Sequence, residues 1–346
     1  MTANGLVEVP SDLDEFYDFV QERSWSDGLP VIPPTDARVA AFLASTPRDP
    51  DEIVAVLAPA SGEATIRAIA TNAVMAGCRP EYLPVVIAAV EAIADPAFNL
   101  NSVQVDVNAA TLAVLVNGPI REAIGMNWGG GALSGRARAN ATIGRAVRFA
   151  MINLGGARSP ESDLTIHGQP GCISMCMAED EDGSPWEPLH VERGFNRADS
   201  VVTVAAVTGT QNVLTGIHEP DAMLTLMADS ICTMGANTVL LGATGGGPIV
   251  SFSRSLADLL ARDGLTKADV KRVLYERARK PAAFMPGTKR PDRINQMLID
   301  DGEIRALADE AQPIVFVAGY ESPNHTCLMP NYCVSGVVSR QVQFDG

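Results

Sequence analysis

The densest chemistry in this chain lies between His167 and Arg193, HGQPGCISMCMAEDEDGSPWEPLHVER. His167, His190, Cys172, Cys176 and the carboxylate run Glu179 to Asp182 all fall in this one stretch. Pro170, Pro185 and Pro188 interrupt any long periodicity, so it reads as an irregular loop, the setting in which enzymes concentrate reactive groups. His190 followed by Glu192 suits general acid–base work, because a carboxylate fixes the imidazole tautomer and raises its basicity. Cys176, with Glu179 and Glu181 close behind, is placed to be a nucleophile or a ligand. Cys176, Glu179 and His190 are also the candidate metal ligands. The plain alternative is a solvated acidic loop with two incidental cysteines.

Around this stretch lie groups suited to holding a polar or anionic ligand. GATGGGP (242–248) can aim backbone N–H groups at an anion, with Gly245 and Gly246 as the contacting residues; a tight structural turn is the other reading. Its spacing fits neither a Walker A loop nor a GxGxxG fingerprint, so no nucleotide cofactor motif is present. WGGG supplies Trp128 and Gly129. Arg136, Arg138, Arg145 and Arg148 form the most basic stretch, and Arg145 is the candidate anion clamp; surface ion pairs are the ordinary role for such arginines. Asn117, Asn324 and His325 stand at the ends of apolar runs. The cysteine spacings 172/176 and 327/333 match neither a thioredoxin-like redox motif nor a zinc ribbon. Pooled with Cys232 they leave an iron–sulfur cluster as an alternative to a single metal ion. Cys78 and Cys232, at apolar helix ends, read as buried small hydrophobes.

Bulk properties narrow the class. The 346 residues carry a formal net charge of −15, which argues against phosphate-backbone and anionic-membrane partners. No apolar run approaches the roughly 20 residues of a spanning helix. The acidic N-terminus has no signal-peptide pattern, so a cytoplasmic location is expected. With 47% hydrophobic and only 19% charged residues, the chain must cover much apolar surface, and a homo-oligomer is expected.

The elements that must position these groups follow from periodicity. Five apolar runs end in polar loops: Ile53 to Thr65, Thr111 to Ile120, Val201 to Asn212, Thr238 to Pro248 and Pro313 to His325. Between them lie helical patterns at Glu63 to Met75, Glu81 to Ala94, Ala141 to Leu154, Asp221 to Met234, Leu256 to Arg262 and Lys267 to Arg279. Such alternation predicts an α/β fold of mostly parallel sheets flanked by helices, with ligand loops, Gln211 included, on one rim. An N-terminal helix from Ser11 to Arg23, with Ser11 as cap, and a proline-rich path form an arm over residues 1–50. That arm lies over the body or a neighbouring subunit, or walls the site. A first lobe spans 51–198 with the irregular loop at 163–195, and a second spans 199–346. NAVMAGC (72–78) and DSICTMGAN (229–237) echo each other, so two similar lobes are one reading and convergence on helix-ending glycines the other.

WSDGLPVIPPT (25–35), NAVMAGCRPEYLPVVIAAVEA (72–92), NATIGRAVR (140–148), GQPG (168–171) and SPWEPLHVERG (184–194) resemble a bacterial family encoded beside small proteins with a UGSC motif, selenocysteine or cysteine. Cys176, Trp186, His190, Glu192 and Arg193 match the family pattern. The position of Cys172 usually holds another residue, which weakens a Cys172–Cys176 redox pair. The resemblance implies chemistry beside a small thiol or selenol partner protein, including cleavage of a carbon–heteroatom bond. These readings together predict a small-molecule enzyme, lyase or hydratase in type. A thiol oxidoreductase and a non-catalytic metabolite-binding or scaffold subunit are the alternatives.

Overall fold

Strands buried at every position need cover on both faces, and the chain supplies it with helices on one side and a second sheet on the other. The computed structural model describes residues 7–158, 160–214, 216, 218–240, 245–284 and 298–343. Helix α1 (Leu13–Glu22) is capped by Asp12, whose carboxylate accepts the N–H groups of Asp14 and Glu15; Ser11 is not the cap. After α2 (Asp36–Leu43), strands β1 (Ile53–Leu57) and β2 (Gly62–Thr65) form an antiparallel hairpin. Helices α3 (Ile66–Ala76), α4 (Leu83–Ile93) and α5 (Leu100–Gln104) precede β3 (Thr111–Asn117). Then come α6 (Ile120–Ala123), α7 (Arg138–Asn153), β4 (Cys176–Ala178), α8 (Leu189–Glu192), β5 (Val201–Val207) and β6 (Gln211–Leu214).

The later part carries α9 (Pro220–Ile231), α10 (Asn237–Leu240), β7 (Ile249–Phe252), α11 (Arg254–Arg262) and α12 (Lys267–Arg277). A small antiparallel sheet of β8 (Arg279–Pro281), β9 (Leu298–Asp300) and β10 (Glu303–Arg305) follows. Strands β11 (Ile314–Val317), β12 (His325–Met329) and β13 (Val338–Gln341) complete the order. The strand expected at Thr238 to Pro248 is not formed as such. Asn237–Leu240 is helical, residues 241–244 lie outside the described residues, and the strand begins after the glycines.

Two four-stranded sheets, ordered β13-β5-β3-β4 and β11-β7-β12-β6, form the centre. They are mixed, not mostly parallel: β3/β4 and β7/β11 are parallel, the other neighbours antiparallel. Apolar runs misled here because burial on both faces, not strand direction, sets the pattern. One face of the first sheet (Val114, Val116, Cys176, Val204) packs under α3, α4 and α7. Its other face (Leu115, Met177, Ala205) packs on Ile249, Ile314, Phe316 and Met329 of the second sheet, whose far face lies under α9, α11 and α12. The layers run helix, sheet, sheet, helix.

Both halves follow one course. In β3–β4–β5 and again in β7–β11–β12, a parallel neighbour forms across a helical crossover and the next strand returns antiparallel on the opposite side. The last strand of each course then joins the other sheet: β6 pairs with β12 and β13 with β5. The chains cross where Val207 bridges Asn331, with Thr208 N–H donating to the Pro330 carbonyl and Tyr332 N–H to that of Ala206. The expected cut between 198 and 199 therefore falls inside the first sheet, between β4 and β5. The echoing strings end α3 and α9, helices that precede equivalent strands. The N-terminal arm lies on the body, with Ile32 N–H donating to Met75 and Asn153 to the Trp25 carbonyl. Among the described residues no helix is long and apolar enough to cross a membrane.

Candidate acid–base site

Because β3 and β4 are parallel and in register at Val116/Ala178, they release Asn117 and Glu179 side by side at their carboxyl ends. Both residues share the strand face of Leu115 and Met177, so both point into the seam between the sheets. Asp180 N–H donates to the Val317 carbonyl at 2.8 Å, tying this tip to the end of β11. The carboxyl ends of the two parallel pairs thus meet, the position where open α/β sheets collect ligands.

Glu179 is 2% exposed. Its Oε2 accepts Asn117 Nδ2 at 2.5 Å and the Leu189 N–H at 2.8 Å. Its Oε1 has no hydrogen-bond partner. Burial pushes the carboxyl up to about 7, reinforced by Glu181 and opposed by Lys267 and by the two hydrogen bonds. Glu181 is held differently. Its Oε1 receives Gly118 N–H at 2.6 Å, Asn117 Nδ2 at 3.0 Å and an ion pair from Arg121 Nε at 3.3 Å. Arg121, itself buried, also pairs with Asp182 and lies 4.7 Å over the Trp128 ring. Gly118, with φ +81 and Asp199 backbone where a side chain would sit, is required to be glycine for this turn.

His190, fully buried on α8, closes the group. Its Nδ1 stands 3.9 Å from Glu181 Oε1 without a hydrogen bond, and its Nε2 is 3.4 Å from the Arg197 carbonyl. The expectation that Glu192 orients His190 fails, since residues two apart on a helix do not face each other. Glu192 instead pairs with Lys271 at 2.5 Å and Lys267 at 3.3 Å.

Of the residues singled out by sequence, Asn117, Glu179 and His190 come together, with Trp128 beside them through Arg121. Gly129 N–H is held by the Asn127 side chain in the adjoining turn. Cys176 does not join them. It shares the face of Ala178, opposite to Glu179, and lies in the helix-side core with its thiol pushed up by burial. Cys176, Glu179 and His190 therefore do not converge as metal ligands, and among the described residues no group of three or more His, Cys, Asp or Glu could hold a metal ion. Cys232 is buried in the other helix-side core, so it and Cys176 do not meet in one cluster. Burial also raises Cys78, Cys327 and Cys333.

Arg145 is no anion clamp: its guanidinium forms a two-pronged pair with Asp27 at 2.7 Å and holds the Leu29 and Pro30 carbonyls. Gly245 and Gly246 pass against the 333–337 segment, and the Gly246 N–H donates to the Ser335 carbonyl instead of to a ligand. The preceding residues of that loop lie outside the described residues. His325 opens β12, exposed, with Nδ1 2.8 Å from Ser322 Oγ, and Asn324 precedes it. Arg121 and Lys267 were missed because neither has a local signature: each reaches the site from a different element. The chain matches no protein-family model and no curated protein.

Proposed function

We propose that this chain is a small-molecule enzyme using acid–base chemistry of the lyase or hydratase type, with Glu179 as the proton-transferring group. The observation that carries the reading is a carboxyl buried in the seam, drawn up to about 7, with one oxygen fixed and the other unpartnered. A group titrating near neutrality can both accept and return a proton within one turnover. Asn117 and the Leu189 amide orient the carboxyl through Oε2, leaving Oε1 as the reacting atom. Glu181 lies beside it with Oε1 already engaged by Arg121, Asn117 and the Gly118 N–H. The two groups thus have different roles set by their surroundings. Asn117 Oδ1 and His190 Nδ1, also buried and unpartnered, add polar contacts for a substrate. Thiol chemistry is less favoured, since burial raises the thiols of Cys78, Cys176, Cys232, Cys327 and Cys333.

The test is proton exchange. In D2O the protein is incubated with a panel of small hydroxy, keto and unsaturated acids, and loss of C–H signal is followed by proton NMR. Exchange into at least one acid is expected, reduced about 10²- to 10⁴-fold in Glu179→Gln. No exchange, or equal exchange by the variant, refutes the role of Glu179.

A further inference from the structure

A second feature lies on the far side of Leu189. A cleft of about 130 Å³ opens there, its lining including the charged Glu192, Arg193 and Lys271 and the apolar Leu189, Ile314 and Val337. Its charge is unusual for this molecule. In a chain of net charge −15, Glu192 stands against Lys267 and Lys271, with Arg193 alongside. The cations also keep donors to spare. Lys271 gives one N–H to Glu192 out of three. Arg193 gives Nε to Ser339 Oγ and one Nη2 proton to the Val337 carbonyl out of five. With Arg193 and Lys271 against Glu192 in a lining that also holds apolar side chains, the cleft is complementary to an anion carried on a short hydrocarbon. The volume approaches the ~150 Å³ of a cavity that accepts benzene, too small for a nucleotide.

We propose that this cleft binds a small monocarboxylic acid, with its carboxylate on Lys271 and Arg193 and its apolar stem against Leu189, Ile314 and Val337. Leu189 lines the cleft, and its N–H holds Glu179. The cleft therefore opens one residue from the acid–base group. Its role as a substrate pocket rests on the reading of Glu179; its role as a binding site does not.

Calorimetric titration of the whole protein with butyrate, inorganic phosphate and n-butylamine tests this without turnover. Butyrate is expected to bind saturably, with a Kd on the order of 1 mM, more tightly than phosphate, and butylamine not at all. Lys271→Gln weakens butyrate about 10-fold or more. Glu192→Gln, which removes the competing carboxylate, tightens it, an effect that mere loss of structure would not produce. Should Lys271→Gln fail to fold, Arg193→Gln and Glu192→Gln carry the comparison. Glu179→Gln keeps butyrate affinity within about twofold, so loss of proton exchange with binding intact separates the two proposals. Absent butyrate binding, phosphate or butylamine binding as tightly as butyrate, or indifference to Glu192→Gln overturns the proposal.

Discussion

Glu179→Gln exchanges a proton-binding carboxyl for a neutral amide of nearly the same shape. In the folded chain this carboxyl titrates at about 7, against 4.5 as its ordinary value. The native state therefore holds its proton where the unfolded chain has released it. A folded value raised above the unfolded one contributes stability fully present below pH 4.5 and lost as pH climbs to about 7. At about 1.4 kcal/mol per pH unit, the loss across that window amounts to about 3 kcal/mol. The Gln side chain can still accept from Asn117 and Leu189 through its single carbonyl oxygen, and it binds no proton.

The assay is urea unfolding of wild type and variant at pH 4.5, 5.5, 6.5 and 7.5, with the difference between them plotted against pH. Taking the difference cancels what the two chains share. The variant is expected to gain on the wild type steadily as pH rises, by about 3 kcal/mol in all, and to stay level above pH 7.5. A flat difference across the window would refute the argument that burial, outweighing Lys267 and the two hydrogen bonds, governs this carboxyl.

The same balance predicts that Lys267→Met, which removes the attraction favouring the ionised form, moves the carbon-13 titration midpoint of Glu179 above 7; a midpoint shifted down would contradict it. Arg145→Ala leaves Asp27 buried without its partner, at a cost of about 3–5 kcal/mol. Limited proteolysis should then cut within residues 24–34, and a wild-type cleavage pattern would show that the arm is held by other contacts. Gly118→Ala forces a Cβ against the Asp199 carbonyl at positive φ. Denaturant melts should show destabilisation of about 2 kcal/mol or more, and an unchanged midpoint would mean the turn gives way without cost.

Much of the element pattern is local and was legible from residues alone. The helices at Arg138–Asn153 and Lys267–Arg277 and the strands at Thr111–Asn117 and Val201–Val207 were visible in periodicity, since burial repeats with the geometry of each element. The proline-broken, acidic stretch was equally recognisable as the region of chemistry, and Asn117, Glu179 and His190 were named within or beside it. Tertiary structure alone decided which of them meet. Strand direction leaves no mark on an apolar run, so the mixed sheets and the exchange of β6 and β13 stayed hidden until the pairing was seen. Cys176 and Glu179 stand three residues apart, an odd number in a strand, and were therefore sent to opposite faces, one thiol into the helical core and one carboxyl into the seam. Arg145 found a partner 118 positions away and Lys267 approached Glu192 from another helix. Ionisation depends on distances through space and on excluded water, and neither is written in the order of residues.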